Sequence, residues 1–165
     1  MRTNPVRQAN LAAIACDPRP QLPDGFRRSS TRVGALLGAA QTGLSVYELP
    51  PGQAVSPYHY EDPGEEWLLV VSGTPTLRHP DGEDQLEPWD VVFLPPGPAG
   101  AHFVRNDSDS TARVAMFSSM SPAGAVVYPD SDMIWMWTED GAVDIVVEQG
   151  SAVDDAAPWS TGGVT

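Results

Sequence analysis

From Arg32 onward the chain is a succession of short apolar runs broken by glycine and proline. Residues 44–49 (LSVYEL) alternate apolar and polar, as a half-buried strand does. Residues 66–72 are almost continuously apolar, the pattern of a strand buried on both faces. Residues 74–79 alternate again. Pro80-Asp81-Gly82-Glu83 then marks a hairpin in which Gly82 can take a positive φ. Further strands are expected at 90–94, 101–105 and 112–118, and the last apolar pieces are 125–128, 133–137 and 143–147. Residues 32–40 are expected to form a glycine-containing strand, because no run from Arg32 onward combines helical period with helical length. Many short strands at this spacing predict an all-β sandwich or barrel. The preceding residues are polar and carry four prolines, which predicts an extended arm with at most one helical turn around 11–15. The expected division is an N-terminal arm over 1–30, a β-domain over 31–150 and a tail over 151–165.

Charge narrows the partners. Twenty-two acidic residues against nine basic ones give a net charge of −13. A polyanion would be repelled, so neither nucleic acid nor an anionic membrane surface is an expected partner. No apolar run approaches membrane-spanning length. The single Cys16 excludes an intrachain disulfide. The segment ANLAAIAC at 9–16 faintly resembles a lipoprotein processing site, but its apolar part is short, and a short helix or arm is the preferred reading. The cytoplasm is the expected location.

Candidate chemistry concentrates in residues 56–73. His59 and Glu61 are two apart, so on a strand both point to one face. Glu66 opens the apolar run, where a carboxylate is costly unless something cationic satisfies it. His102 follows a second Pro/Gly-rich turn, 95–100. His59, Glu61, Glu66 and His102 together read as ligands for one divalent metal. Glu61 has two readings, a ligand or base at the metal and a solvent-facing residue of an acidic turn. Tyr58 and Tyr60 fall on the opposite strand face and are expected to pack against the arm or a second subunit. His79, at the hairpin tip, reads as solvated, and Asn106 as a turn former. Residues 133–137 (MIWMW) read as a packing strand in preference to an aromatic binding platform.

These two clusters resemble the paired motifs of the cupin superfamily. The first runs Gly52 … His59-x-Glu61-x4-Glu66-x6-Gly73, and the second Trp89-x5-Pro95-x-Gly97-x4-His102-x3-Asn106. The similarity covers about residues 44–118 and looks most like small bacterial single-domain cupins of unassigned function. Glu61 replaces the second histidine of the first motif. Trp89 stands where a turn glycine is usual, and since Trp resists positive φ the turn there is expected to differ. The loop before His102 is two residues longer than usual.

The resemblance implies an antiparallel double-sheet jelly-roll β-barrel. It also implies a divalent ion (Fe, Mn, Ni or Zn) on His59, Glu66 and His102, with Glu61 as fourth ligand or catalytic base. Two histidines and one carboxylate are the composition of an iron facial triad. On that basis the expected function is a metal-dependent enzyme on a small-molecule substrate, with dioxygenase-like oxidation favoured. The alternatives are a non-oxidative isomerase or lyase, and a non-catalytic small-ligand-binding cupin. The chain is expected to form a homodimer, because Trp135, Trp137, Tyr58 and Tyr60 are more apolar surface than one small barrel readily hides.

Overall fold

The computed structural model describes residues 7–138, 145–148 and 151–153. Strands dominate it. The first part of the chain gives β1 (Asp17–Pro18), β2 (Ser29–Thr31), helix α1 (Val33–Leu37), β3 (Thr42–Leu49) and β4 (Tyr60–Asp62). The middle gives β5 (Glu66–Ser72), β6 (Thr76–His79), β7 (Gly82–Gln85), β8 (Val91–Leu94), a 3₁₀ turn (Pro98–Gly100), β9 (Phe103–Arg105) and β10 (Ala112–Ser119). The last part gives β11 (Gly124–Tyr128), β12 (Met133–Trp137), β13 (Ile145–Glu148) and β14 (Ser151–Val153). All described pairings are antiparallel. A large sheet has the order β1-β2-β3-β10-β5-β8, a second sheet β14-β13-β12-β11-β4, and a small one β7-β6-β9. This is the expected double-sheet jelly roll.

The core lies on the inner face of the large sheet. Leu49, Leu68, Val70, Val114 and Met116 meet Leu77 and Val104 of the small sheet there. The outer face is covered over part of its area by the N-terminal arm and α1, where Val33, Val46 and Ala115 pack with Leu11, Ile14 and Leu37. Arg113 holds the arm in place. Its guanidinium donates to the Leu11 carbonyl at 2.9 Å and to the Ile14 carbonyl, and pairs with Glu48 at 2.7 Å.

Three expectations are corrected. Residues 33–37 form a helix and not a strand, stopped by Gly38 in the left-handed conformation. At five residues it is too short to show a helical period in the sequence. Strand β5 is buried on both faces only toward its C-terminal end: Glu66, Leu68 and Val70 turn inward, Leu69 and Val71 turn outward into the cluster beneath the arm, and Trp67 turns outward and is 44% exposed. The turn at Trp89 keeps a left-handed backbone, with φ at 78°, despite the indole. Its side chain is 71% exposed, so the strain there is confined to the backbone. The tail beyond residue 153 lies outside the described residues.

Asn106 ties the strand carrying His102 to the rest of the fold. Fully buried, it donates to the carbonyls of Leu49 and Ser110 at 2.7 and 2.8 Å and accepts from the Ser108 hydroxyl at 2.7 Å. The turn-former reading is the observed one. Asn106→Ala strands those carbonyls in the interior and should cost about 2–4 kcal/mol. Urea denaturation of the two proteins measures this, and equal midpoints would refute it.

Candidate metal centre

His59 and His102 are brought together by the backbone. The two residues form an isolated antiparallel bridge, each N–H donating to the other's carbonyl at 3.0 and 2.8 Å. Their rings lie 4.4 Å apart. Glu66 reaches the same place because strand alternation turns it inward with Leu68 and Val70. Ligand atoms of His59, Glu66 and His102 lie within 4.8 Å of one another, and all three residues are buried.

The hydrogen bonds orient the imidazoles. Nδ1 of His59 donates to the Pro57 carbonyl at 2.8 Å, with the Ser56 hydroxyl 3.2 Å away. Nδ1 of His102 donates to the Gly100 carbonyl at 2.9 Å. Each ring therefore presents an unprotonated Nε2, the form a metal requires. The His102 Nε2 is buried without a hydrogen-bond partner among the described residues. The Glu66 carboxylate stands 3.5 Å from it, too far for a good hydrogen bond. Two imidazole nitrogens, one of them buried and unsatisfied, and a carboxylate fit a divalent first-row ion.

Burial sets the charges. It lowers His59 to about 3, assisted by His102 and opposed by the Pro57 carbonyl. It lowers His102 to about 4. Burial first, then the charge of Glu61, raises Glu66 to about 8.

Glu61 is not one of the converging three, but it is close. In register it lies beside Val126 of β11, whose side chain is buried, so it faces inward. Its carboxylate folds back over Gly64, where a Cβ would come within 2.6 Å of Oε2. Burial raises its pKa as well. His79 is outside the cluster and pairs with Asp84 at 3.1 Å. Tyr58 packs under the Arg78 guanidinium, 3.9 Å from its ring centre, and not against the arm.

Sequence reasoning missed Tyr128. Its ring stacks on His59 at 5.8 Å. Burial, then Glu61 and Glu66, push its hydroxyl up to about 12. Alternation along β11 places Tyr128 on the same face as Val126, but only the pairing of β11 with β4 shows that this face meets His59.

Comparison with known proteins agrees with this geometry. Residues 45–118 match the family described as "Cupin domain". Over these residues the chain is similar to a cupin domain, and its antiparallel β-fold is like that of cupin-superfamily structures. A comparison with curated proteins found no match. Among solved structures, a sugar phosphate isomerase of the cupin superfamily from Silicibacter pomeroyi is 25% identical, with 90% of this chain and 97% of that one covered and a TM-score of 0.75. A protein from Acidithiobacillus ferrooxidans, provisionally assigned as a sugar phosphate isomerase, is 20% identical over 93% and 97% of the two chains, with a TM-score of 0.77. The polyketide cyclase RemF from Streptomyces resistomycificus is 18% identical over 70% and 80%, with a TM-score of 0.57.

The shifts fix a pH profile. Unfolded, Glu66 ionises near 4.5 and the imidazoles near 6.5. Folding favours the neutral carboxyl, a contribution full below 4.5 and lost as pH rises to about 8. It also favours neutral imidazoles, a contribution present above 6.5 and lost as pH falls toward 4. Metal-free protein should therefore be most stable at about pH 5–7. A divalent ion should remove the alkaline decline, because it takes the carboxylate in its charged form. Urea denaturation with and without Mn²⁺ across this range tests it. A metal-free protein equally stable at about pH 6 and pH 9 would contradict the assignment.

Proposed function

We propose that this protein is a metal-dependent isomerase that moves a carbonyl along a small polyhydroxylated substrate by proton transfer. His59, Glu66 and His102 would hold the metal, and Glu61 would be the base. The supporting observation is the placement of Glu61, an inward carboxylate beside the three converging side chains and not among them. Its raised pKa, toward the working range of a general base, suits proton transfer. The likeness to the Silicibacter pomeroyi protein, described as a sugar phosphate isomerase, points the same way. The facial-triad composition favoured oxidation; a carboxylate beside the three converging side chains and not among them favours proton transfer.

A bound divalent ion would polarise the substrate carbonyl and lower the acidity barrier at the neighbouring carbon. Glu61 removes the proton from that carbon, the electron pair forms the carbon–carbon double bond of an enediolate, and the proton of the neighbouring hydroxyl passes to the former carbonyl oxygen. The protonated Glu61 returns the proton to the former carbonyl carbon, and the carbonyl reforms one position along. No oxidant is consumed. Tyr128, stacked on His59, limits how that ring can turn.

The test is solvent exchange. Mn²⁺-loaded protein incubated in D₂O with aldose and ketose phosphates should place deuterium next to the carbonyl. Glu61→Gln should lower the rate by about 10²–10⁴-fold while metal content stays unchanged. His102→Ala should lose metal. Substrate-coupled oxygen uptake without exchange would return the oxidative reading, and an unchanged rate in Glu61→Gln would sink the role of Glu61.

The homodimer is part of this proposal, on a different surface from the one expected. Trp135 and Trp137 are half-buried. Trp67, Phe93 and Phe117 instead lie side by side on the outer face of the large sheet, in register across β10, β5 and edge strand β8. They are 44%, 43% and 36% exposed. Light scattering should give twice the mass of one 17.6 kDa chain. Trp67→Glu should halve it, and a one-chain mass for the unsubstituted protein would refute the dimer.

A further inference from the structure

The inner wall of the large sheet changes character where it reaches Glu66. Leu68, Val70, Val114 and Met116 line the core, but the residue in register beside Glu66 is Ser118. On its other side Ser118 pairs with Gly43. A Cβ on Gly43 would come within 2.3 Å of the Ser118 hydroxyl, so the glycine keeps that space open.

Strand β12 supplies the opposite wall. Trp135 is in register with Val126, which is in register with Glu61, so indole and carboxylate share a face. The Trp137 N–H donates to the Ser121 carbonyl at 3.0 Å. Its ring lies over Gly124, where a Cβ would come within 2.5 Å. The two indoles are 5.6 Å apart. These walls flank an open cavity of about 580 Å³ that Glu61 and Arg32 both line. Glu61 is half-buried and Arg32 exposed, so the cavity opens to solvent at Arg32 and ends at Glu61, whose charge acts on Glu66.

Its chemistry is selective. Flat aromatic faces opposite hydroxyls suit a sugar ring, which offers C–H faces to one and hydroxyls to the other. All nine cations of the chain are arginines, and the net charge is −13. Arg27, Arg78, Arg105 and Arg113 are held in ion pairs. The Arg32 guanidinium has no ion-pair or hydrogen-bond partner among the described residues. An anion in this cavity is attracted at Arg32 and repelled at Glu61 and Glu66.

We propose that the cavity binds a sugar with an anionic end group, the anion on Arg32, the sugar body against Trp135 and Trp137, and the carbonyl end at Glu61. The direction of binding rests on the isomerase reading, whereas the anion preference does not.

Glucose 6-phosphate, glucuronate and glucose share one skeleton and end in phosphate, carboxylate and hydroxyl. Titration of the full chain loaded with Mn²⁺, followed by calorimetry and tryptophan fluorescence, compares them. At least one anionic sugar should bind about tenfold tighter than glucose, and the tighter one identifies the end group. Arg32→Gln should remove that preference, and Arg32→Lys should restore part of it. Gly124→Ala, which displaces the Trp137 ring, should weaken anionic and neutral sugars alike. Equal affinity for the three, no binding of any, or a preference unchanged in Arg32→Gln overturns the inference. Deuterium exchange is scored separately: binding with the predicted preference but without exchange refutes the isomerase reading alone.

Discussion

The site depends on one electrostatic constraint. Two imidazoles and a carboxylate are buried together on the inner face of a β-fold, where charge is poorly solvated. Without a cation, both rings are held neutral and Glu66 takes up a proton near neutral pH. Even then, the His102 Nε2 faces the interior unsatisfied. A divalent ion resolves all three conditions at once, because it requires unprotonated nitrogens and a charged carboxylate.

The fold meets this constraint through register. The reciprocal bridge of His59 with His102 fixes two ligands by backbone hydrogen bonds, and the alternation of β5 delivers the third. The same registers set Ser118 beside Glu66 and Trp135 in line with Glu61. Ser118, in register beside Glu66, and Glu61, whose charge acts on Glu66, both line the cavity. This placement suits a base that must touch both the metal-bound end of a substrate and its neighbouring carbon.

Much of this was legible in the sequence because strand alternation is a strict rule. The double-sheet fold followed from the spacing of apolar runs and turns. The approach of His59, Glu66 and His102 followed from motif spacing, and the inward direction of Glu61 from its two-residue offset from His59. What was not legible depends on contacts between distant strands. Tyr128 becomes a neighbour of His59 only through the pairing of β11 with β4. Trp135 and Trp137 looked like surplus apolar surface, because nothing local shows that β12 turns them toward a cavity. Helix α1 was hidden by its shortness. At Trp89 a residue-type rule failed: the turn holds a left-handed backbone despite the cost at Cβ, and the exposed indole adds no clash of its own.

The most direct test of the central claim is anomalous diffraction from crystals of the protein grown with Mn²⁺. A single strong peak is predicted between His59, Glu66 and His102, with metal–ligand distances of about 2.0–2.3 Å to Nε2 of each histidine and to a Glu66 oxygen. A peak held elsewhere, or three side chains that remain apart with no peak between them, would contradict the account.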